Sequence, residues 1–275
     1  MFTPTTALLL VLLGFAVGGF GTLVGAGGGF ILTPVLLVLY PHDSPARITA
    51  ISLVVVFFNA LSGSAAYARQ RRIDYRSGLA FAAAALPGSV AGALLVRLAP
   101  LRLFDLLMGA VLAALAAWLT NASREVEPAQ PSGRLTERVL TDRAGHRHRY
   151  QVAVRRGVTY SVGVGFASSF FGIGGGIIHV PLMVGALGFP THLATATSHF
   201  VLTFMAATGT ITHALAGTFS HGTGLRRTAA LSVGVIAGAQ VGAHVSQRVS
   251  GPGIQRLLAL GLLALAIRLA LAGVG

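Results

Sequence analysis

FFGIGGGIIHVP, residues 170–181, places three consecutive glycines inside an apolar run and follows them with a histidine and a proline. The same figure stands earlier as VGAGGGFILTP, residues 24–34. Gly27, Gly28 and Gly29 precede Pro34 by seven to five residues, and Gly174, Gly175 and Gly176 precede Pro181 by the same distances. The offset is 147 residues in a chain of 275. A pattern that recurs at half the chain length needs one explanation for both halves.

Composition sets the environment in which that pattern works. Hydrophobic residues make up 54% of the chain and charged residues 10%, against about 25% charged in a soluble domain. Residues 5–40 carry no charge, and 48–68, 77–96, 103–120, 157–191, 228–247 and 257–268 are apolar or nearly so. Crossing the hydrocarbon takes about 20 apolar residues, so the chain reads as a polytopic membrane protein. Residues 1–30 lack the positive start of a signal peptide, and their apolar run continues past any cleavage point, which predicts a retained first segment. With no cysteine, disulfides and thiolate metal sites are excluded. The net charge of +13, from 20 Lys+Arg against 7 Asp+Glu, falls in short loops and one linker. That distribution suits membrane orientation and contact with anionic lipid, not nucleic-acid binding.

The first element, residues 5–39, would be about 50 Å long as one helix, too long for a core roughly 30 Å thick. The glycines near its middle predict two shorter helices meeting at a break. Segments follow at 46–67, 77–97 and 102–120. The first of these ends in ARQRRIDYR, where Arg69, Arg71, Arg72 and Arg76 mark a cytoplasmic loop. Residues 121–154 form a basic cytoplasmic linker whose part RLTERVLTDRAGHRHRYQVAV suggests a small hairpin at the membrane surface. His146 and His148, spaced by one residue, make an incomplete metal site.

The second half restarts with a broken opener at 157–189 and continues at 192–215, 225–247 and 253–273. LPGSVAGA (86–93) matches IAGAQVGA (236–243), and SGSAAY (62–67) matches TGTITH (208–213). The expected division is a first membrane repeat at 1–120, the linker at 121–154 and a second repeat at 155–275. The expected fold is all-α, with two homologous repeats, eight long apolar segments, and ten helices if both openers break. Openers that span once make the repeats parallel; openers that go in and return make them inverted. Broken helices at corresponding positions favour the inverted scheme.

Irregular backbone at membrane depth is tolerated only against protein or a watery cavity. The amides that begin the helix after a break lack intrahelical partners and point positive charge at the gap. Gly27–Gly29 and Gly174–Gly176 are therefore candidate anion ligands. Gly88, Gly92, Gly238 and Gly242 fit close helix packing instead. No Asp or Glu lies in the middle of an apolar segment, which argues against a cation substrate. The available groups are donors, among them Ser52, Asn59, Thr197 and Ser198, with histidines concentrated in the second half, His179, His192, His199, His213 and His244 among them. His179, three residues after its triplet, and His199, after ATATS, are the preferred anion donors and proton carriers. No spacing supports a metal site, and neither a catalytic constellation nor a nucleotide-binding motif is present.

Two copies of GxGGGxxxxP, Gly25–Pro34 and Gly172–Pro181, resemble the sulfite exporter TauE/SafE family. TAIS (49–52), TATSH (195–199) and the two GxxxGA pieces agree. The resemblance covers nearly all of the chain outside the linker. It implies a multi-pass permease of the bacterial inner membrane for sulfite, sulfoacetate or related organosulfonates, usually in the export direction. The halves differ where Leu32 stands opposite His179 and AIS opposite ATS, so the second half is expected to supply more polar contacts. The expected mechanism is alternating access around a central site of Gly27, Gly28, Gly29, Ser52, Gly174, Gly175, Gly176, His179, Thr197, Ser198 and His199. A proton is the candidate coupling ion, and no cofactor is expected. The alternatives are an uncoupled anion channel and a permease for another small carboxylate or inorganic anion. Partners beyond substrate and lipid are not derivable, a homodimer included.

Overall fold

The structure is a computed structural model; it describes residues 3–122, 135–219 and 223–246, with residues 263, 266, 267 and 271 beyond them. Each opener is broken where the glycines stand. Helix α1 (Pro4–Val24) is started by the Thr3 side chain and Pro4, and it ends at Gly25 with φ +82°. After Ala26 and Gly27 the chain enters α2 (Gly29–Leu39) through Gly28, φ +75°. In the second half α6 (Val154–Phe171) ends at Gly172, φ +64°, and α7 (Gly176–Gly185) begins after Gly175. These left-handed positions cost an L side chain energy that glycine avoids, so the glycines determine where the rods break.

The other helices begin at ordinary capping signals. Ser44 and Pro45 start α3 (Pro45–Arg69). Asp74 caps α4 (Tyr75–Leu95) through the amide of Ser77. A short 3₁₀ turn, Val96–Leu98, leads to α5 (Leu101–Ala122). Pro190 precedes α8 (Thr191–Leu215), and α9 covers Thr223–Val245. Among the described residues four stretches are long and apolar enough to cross a membrane: Pro4–Val24, Pro45–Arg69, Tyr75–Leu98 and Gly224–Val245. Helix α8 matches α3 in length but is dense in Thr, Ser and His. The expected segment at 253–273 lies almost wholly outside the described residues.

Between the halves, β1 (Thr136–Thr141) and β2 (Arg147–Val152) pair antiparallel, Thr136 opposite Val152 and Thr141 opposite Arg147. Asp142 closes the turn: its Oδ1 accepts from the amides of Ala144 and His146, each at 2.9 Å. The hairpin is docked on the bundle. Tyr150 donates to the Asp74 carboxylate at 3.1 Å, Arg138 Nε lies 3.5 Å from it, and the Arg143 amide donates to the Gln70 carbonyl.

The halves interlock. Helix α1 packs along α9 and α6 packs along α4, so each opener lies against the helix that follows the central α3 or α8 in the other half. Both contacts run through glycine. A Cβ at Gly238 would strike the Phe15 carbonyl, and one at Gly88 would strike the Val162 carbonyl. The close-packing role expected for these glycines is therefore accounted for. At the centre α3 packs on α8. Just past the end of α3, the Asp74 amide donates to Thr197 Oγ1 near the start of α8. At the other end, Ser44 before α3 and Thr218 after α8 line one cavity. Helices α3 and α8 thus run antiparallel, with the hairpin on one face of the bundle and that cavity on the opposite face.

Candidate functional site

The two glycine breaks meet. A Cβ on Gly29 would lie 2.6 Å from the Gly172 carbonyl oxygen, and one on Gly176 would lie 2.6 Å from that of Gly25. Gly27 and Gly174 both face Val56 of α3 and Leu202 of α8, which stand near the midpoints of those helices. All of these glycines are buried. The start of α2 and the start of α7 are therefore brought together at mid-bundle. The contact is tight, with each break filling the other's gap.

Ser52 sits at this junction. Its hydroxyl donates to the Gly172 carbonyl at 2.7 Å, and Thr33 Oγ1 lies 2.8 Å from the same oxygen and 2.9 Å from Ser52 Oγ. The hydroxyl hydrogen of Ser52 is thus used to tie α3 to the second break. Thr197 has a similar local duty, accepting from the Asp74 amide at 3.0 Å. The neighbouring Ser198 is different: its Oγ is buried and has no hydrogen-bond partner.

His199 anchors a polar cluster beside the first break, with the backbone of Gly25 next to its ring. Its Nε2 lies 3.3 Å from Thr22 Oγ1, and Thr22 donates to Asn59 Oδ1 at 2.8 Å. The Tyr67 ring stands edge-on at 5.6 Å, and its hydroxyl donates to the Thr22 carbonyl. The hydrogen inventory assigns the tautomer. With the Asn59 amide oriented to accept the one Thr22 hydrogen, His199 Nε2 is assigned as the donor to Thr22. In the neutral ring Nδ1 is then an acceptor, and it becomes a donor only on protonation. Neither His199 Nδ1 nor Asn59 Nδ2 has a hydrogen-bond partner. Polar groups left open in a buried site are costly, which makes this cluster a candidate ligand site.

His179 lies elsewhere, on α7 against α6 and α4. Its Nε2 is 3.3 Å from Ser161 Oγ, which donates to the Gly157 carbonyl at 2.6 Å, and Phe81 is edge-on at 5.7 Å. The same reasoning puts a hydrogen on Nε2, while Nδ1 is unpartnered. His179 and His199 share no hydrogen-bonding neighbour. His213 sits further off, 3.4 Å from Thr218. Among the described residues no three His, Asp or Glu gather as metal ligands.

The cluster joins the halves, Thr22 and Asn59 from the first and His199 from the second, and it is not repeated at the corresponding positions. Helices α3 and α8 have 25 residues each, so Asn59 corresponds to Met205 and His199 to Leu53. A Cβ on Gly63 would meet the His199 ring, and one on Gly209 would meet Leu53. The counterpart keeps a hydroxyl, Ser169, whose Oγ would lie 2.8 Å from a Cβ on Gly209, but has Met205 and Leu53 in place of the amide and the imidazole. Thr22 and Thr33 were not among the residues expected from sequence, although each is a lone hydroxyl in an apolar opener beside the motif.

Outside the membrane-spanning segments the hairpin holds three perturbed groups, and at Arg149 the hydrogen bond to Glu137 holds the guanidinium above its ordinary value. Burial would push the Asp142 carboxyl up, but the His146 amide and the His148 and His146 rings outweigh it and hold it below its ordinary value. Burial, then the adjacent Asp74 carboxylate, pushes the Tyr150 phenol above its ordinary range.

Long apolar helices, paired helix breaks at mid-bundle and buried donors define a multi-pass membrane transporter. The chain belongs to the family described as Sulfite exporter TauE/SafE, which matches residues 10–269, and it is not an enzyme. It is 30% identical to the probable membrane transporter protein YunE of Bacillus subtilis, over 97% of this chain and 98% of that one. A probable membrane transporter protein of Methanocaldococcus jannaschii is 25% identical over 88% of this chain and 87% of its own. A third, from Xylella fastidiosa, is 29% identical over 68% of this chain and 64% of its own. No solved structure matches the chain.

Proposed function

We propose that the chain is a secondary transporter of small sulfur oxyanions, sulfite or organosulfonates such as sulfoacetate, working by alternating access. The observation that carries this is the meeting of the two glycine breaks beside Asn59, Ser198 and His199, whose open groups are donors or become donors on protonation. The buried acids among the described residues, Asp74, Asp105 and Asp142, lie in the α3–α4 loop, the first turns of α5 and the hairpin. The mid-bundle therefore suits an anion. Amides at the starts of α2 and α7 supply partial positive charge. Gly27–Gly29 and Gly174–Gly176 separate to admit the oxyanion, and Ser52 and Thr197 release their present partners to join the shell.

His199 couples the anion to a proton. Its Nδ1 can donate to an oxyanion only when the ring carries a second proton, so binding and protonation favour each other. His179 offers the same chemistry from the other wall.

The antiparallel α3 and α8, with openers that enter and return, support two inverted repeats. Rocking of one repeat against the other would open the junction to alternate faces. The arginine-rich hairpin face, with Arg69, Arg71, Arg72 and Arg76, is assigned to the cytoplasm of a bacterial inner membrane.

The test is uptake of labelled sulfite, sulfoacetate and sulfate into proteoliposomes, with and without a pH gradient. Saturable uptake of a sulfur oxyanion that rises with the gradient is expected. Rapid flux indifferent to the gradient would mean an uncoupled channel, and absence of flux from folded protein would overturn the substrate assignment.

A further inference from the structure

The face opposite the hairpin carries a second charged feature, separate from the mid-bundle junction. A cavity of about 290 Å³ opens between the start of α3, the end of α4 and the end of α8, and it is lined by Ser44, Arg47, Arg97, Ala99, Gly217 and Thr218. Its charge is lopsided. Arg47 is 3.0 Å from Asp43, and Arg227 is 2.9 Å from the other oxygen of the same carboxylate. Arg227 also lies over the Tyr40 ring, 3.6 Å from its centroid. Two guanidiniums therefore share one carboxylate at the rim. Arg97 is exposed and makes no ion pair or hydrogen bond among the described residues. Three cations against one anion leave an excess of two positive charges about a cavity furnished with two hydroxyls.

We propose that this cavity is a peripheral oxyanion site, in which Arg97 and Arg47 hold a sulfite, sulfonate or phosphate group. Arg97 supplies the uncompensated charge, and the planar guanidinium matches two oxygens at once. Arg47 is held in place by Asp43. The hydroxyls of Ser44 and Thr218 complete the donor set. The volume admits a small oxyanion together with water. Low-dielectric walls focus the field of such a cleft and raise the local anion concentration. The site as an anion binder stands independently; its service as a loading station for transport rests on the function proposed above. The same chemistry would hold the phosphate of an anionic lipid headgroup, so the occupant must be identified by lipid composition.

The absence of cysteine makes the test direct. Ala99→Cys introduces a single thiol in the cavity wall, and its rate of reaction with a membrane-impermeant maleimide reports occupancy. In phosphatidylcholine liposomes, sulfate should slow labelling several-fold, and Arg97→Gln in the same background should remove most of that protection. Sodium chloride at equal ionic strength should protect less. If phosphatidylglycerol liposomes show protection without sulfate, again lost with Arg97→Gln, the occupant is the lipid phosphate. Equal labelling rates in all of these conditions, or protection unaffected by Arg97→Gln, would overturn the site. Labelling is read without transport, so a failed uptake assay leaves this result standing, and failed protection leaves the mid-bundle site untouched.

Discussion

Gly29 and Gly172 stand so close that no side chain fits between them: a Cβ on Gly29 would lie 2.6 Å from the Gly172 carbonyl oxygen and 2.7 Å from the Ile173 carbonyl carbon. Both obstacles are backbone, so neither yields as a flexible side chain would. Gly29→Ala is expected to cost about 1–3 kcal/mol, the usual range for overpacking. It should also block transport, because the two breaks can no longer close on each other. Thermal unfolding of the purified protein, alongside uptake, checks both effects. An unchanged midpoint with normal uptake would show that the junction is looser than this contact indicates.

Asn59 tests the sign of the substrate. Asn59→Asp keeps the size and the acceptor for Thr22 but replaces the open Nδ2 donor with negative charge. If an oxyanion binds there, uptake should fall by on the order of tenfold or more. A variant that is folded and transports sulfite or sulfoacetate normally would place the anion away from Asn59.

His199→Gln separates binding from coupling. Glutamine can still donate to Thr22, but it takes up no proton. Residual uptake of the sulfur oxyanion should therefore lose its response to a pH gradient, while the wild type gains uptake as the ring is protonated. A gradient response retained in the variant would transfer the coupling role to another residue, with His179→Gln the next measurement.

Asp74 ties three elements together. It caps α4 through Ser77, receives the Tyr150 hydroxyl at 3.1 Å and faces Arg138 at 3.5 Å. Asp74→Asn should destabilise the docked hairpin by about 1.5–3 kcal/mol, the range for hydrogen bonds to a charged group. Tyr150→Phe should cost less, about 0.5–1.5 kcal/mol. Limited proteolysis of residues 136–152 should quicken in the same order. Equal rates in both variants and the wild type would show that apolar contacts alone hold the hairpin down.

Asp142 gives the hairpin turn a defined acid limit. Its folded-state value is lowered, so its contribution to stability is fully present above the unfolded value of about 3.9 and disappears as pH falls through the lower folded value. Hydrogen exchange at the Ala144 and His146 amides should accelerate in that acidic window. Asp142→Asn should exchange faster at neutral pH and lose the acid step. An acid step that survives the substitution would assign the transition to other groups.

Much of the fold is legible in the chain itself. Gly25, Gly28, Gly172 and Gly175 adopt positive φ, and a glycine run in a segment too long to span once announces that break without any tertiary knowledge. The packing glycines were legible for the same reason, since small residues in apolar helices have few other uses. The site was less so. Ser52 and Thr197 look like free donors in the sequence, yet their hydroxyls meet Gly172 and Asp74. Thr22 and Thr33 look like incidental threonines, yet they complete the two polar junctions.

The sequence by itself determined the membrane environment, the recurrence of the glycine motif, the positions of the breaks and the absence of acid from the apolar segments. These are local or compositional properties, fixed by chain geometry and by the cost of charge in hydrocarbon. Only the tertiary structure decided that each break fills the other, that α1 lies on α9 and α6 on α4, and that the polar cluster joins the halves without being repeated at the corresponding positions. Those outcomes depend on the antiparallel meeting of α3 and α8, which brings His199 to Thr22 across 177 residues. No spacing along a single chain encodes that meeting, because it is set by the packing of helices from different halves.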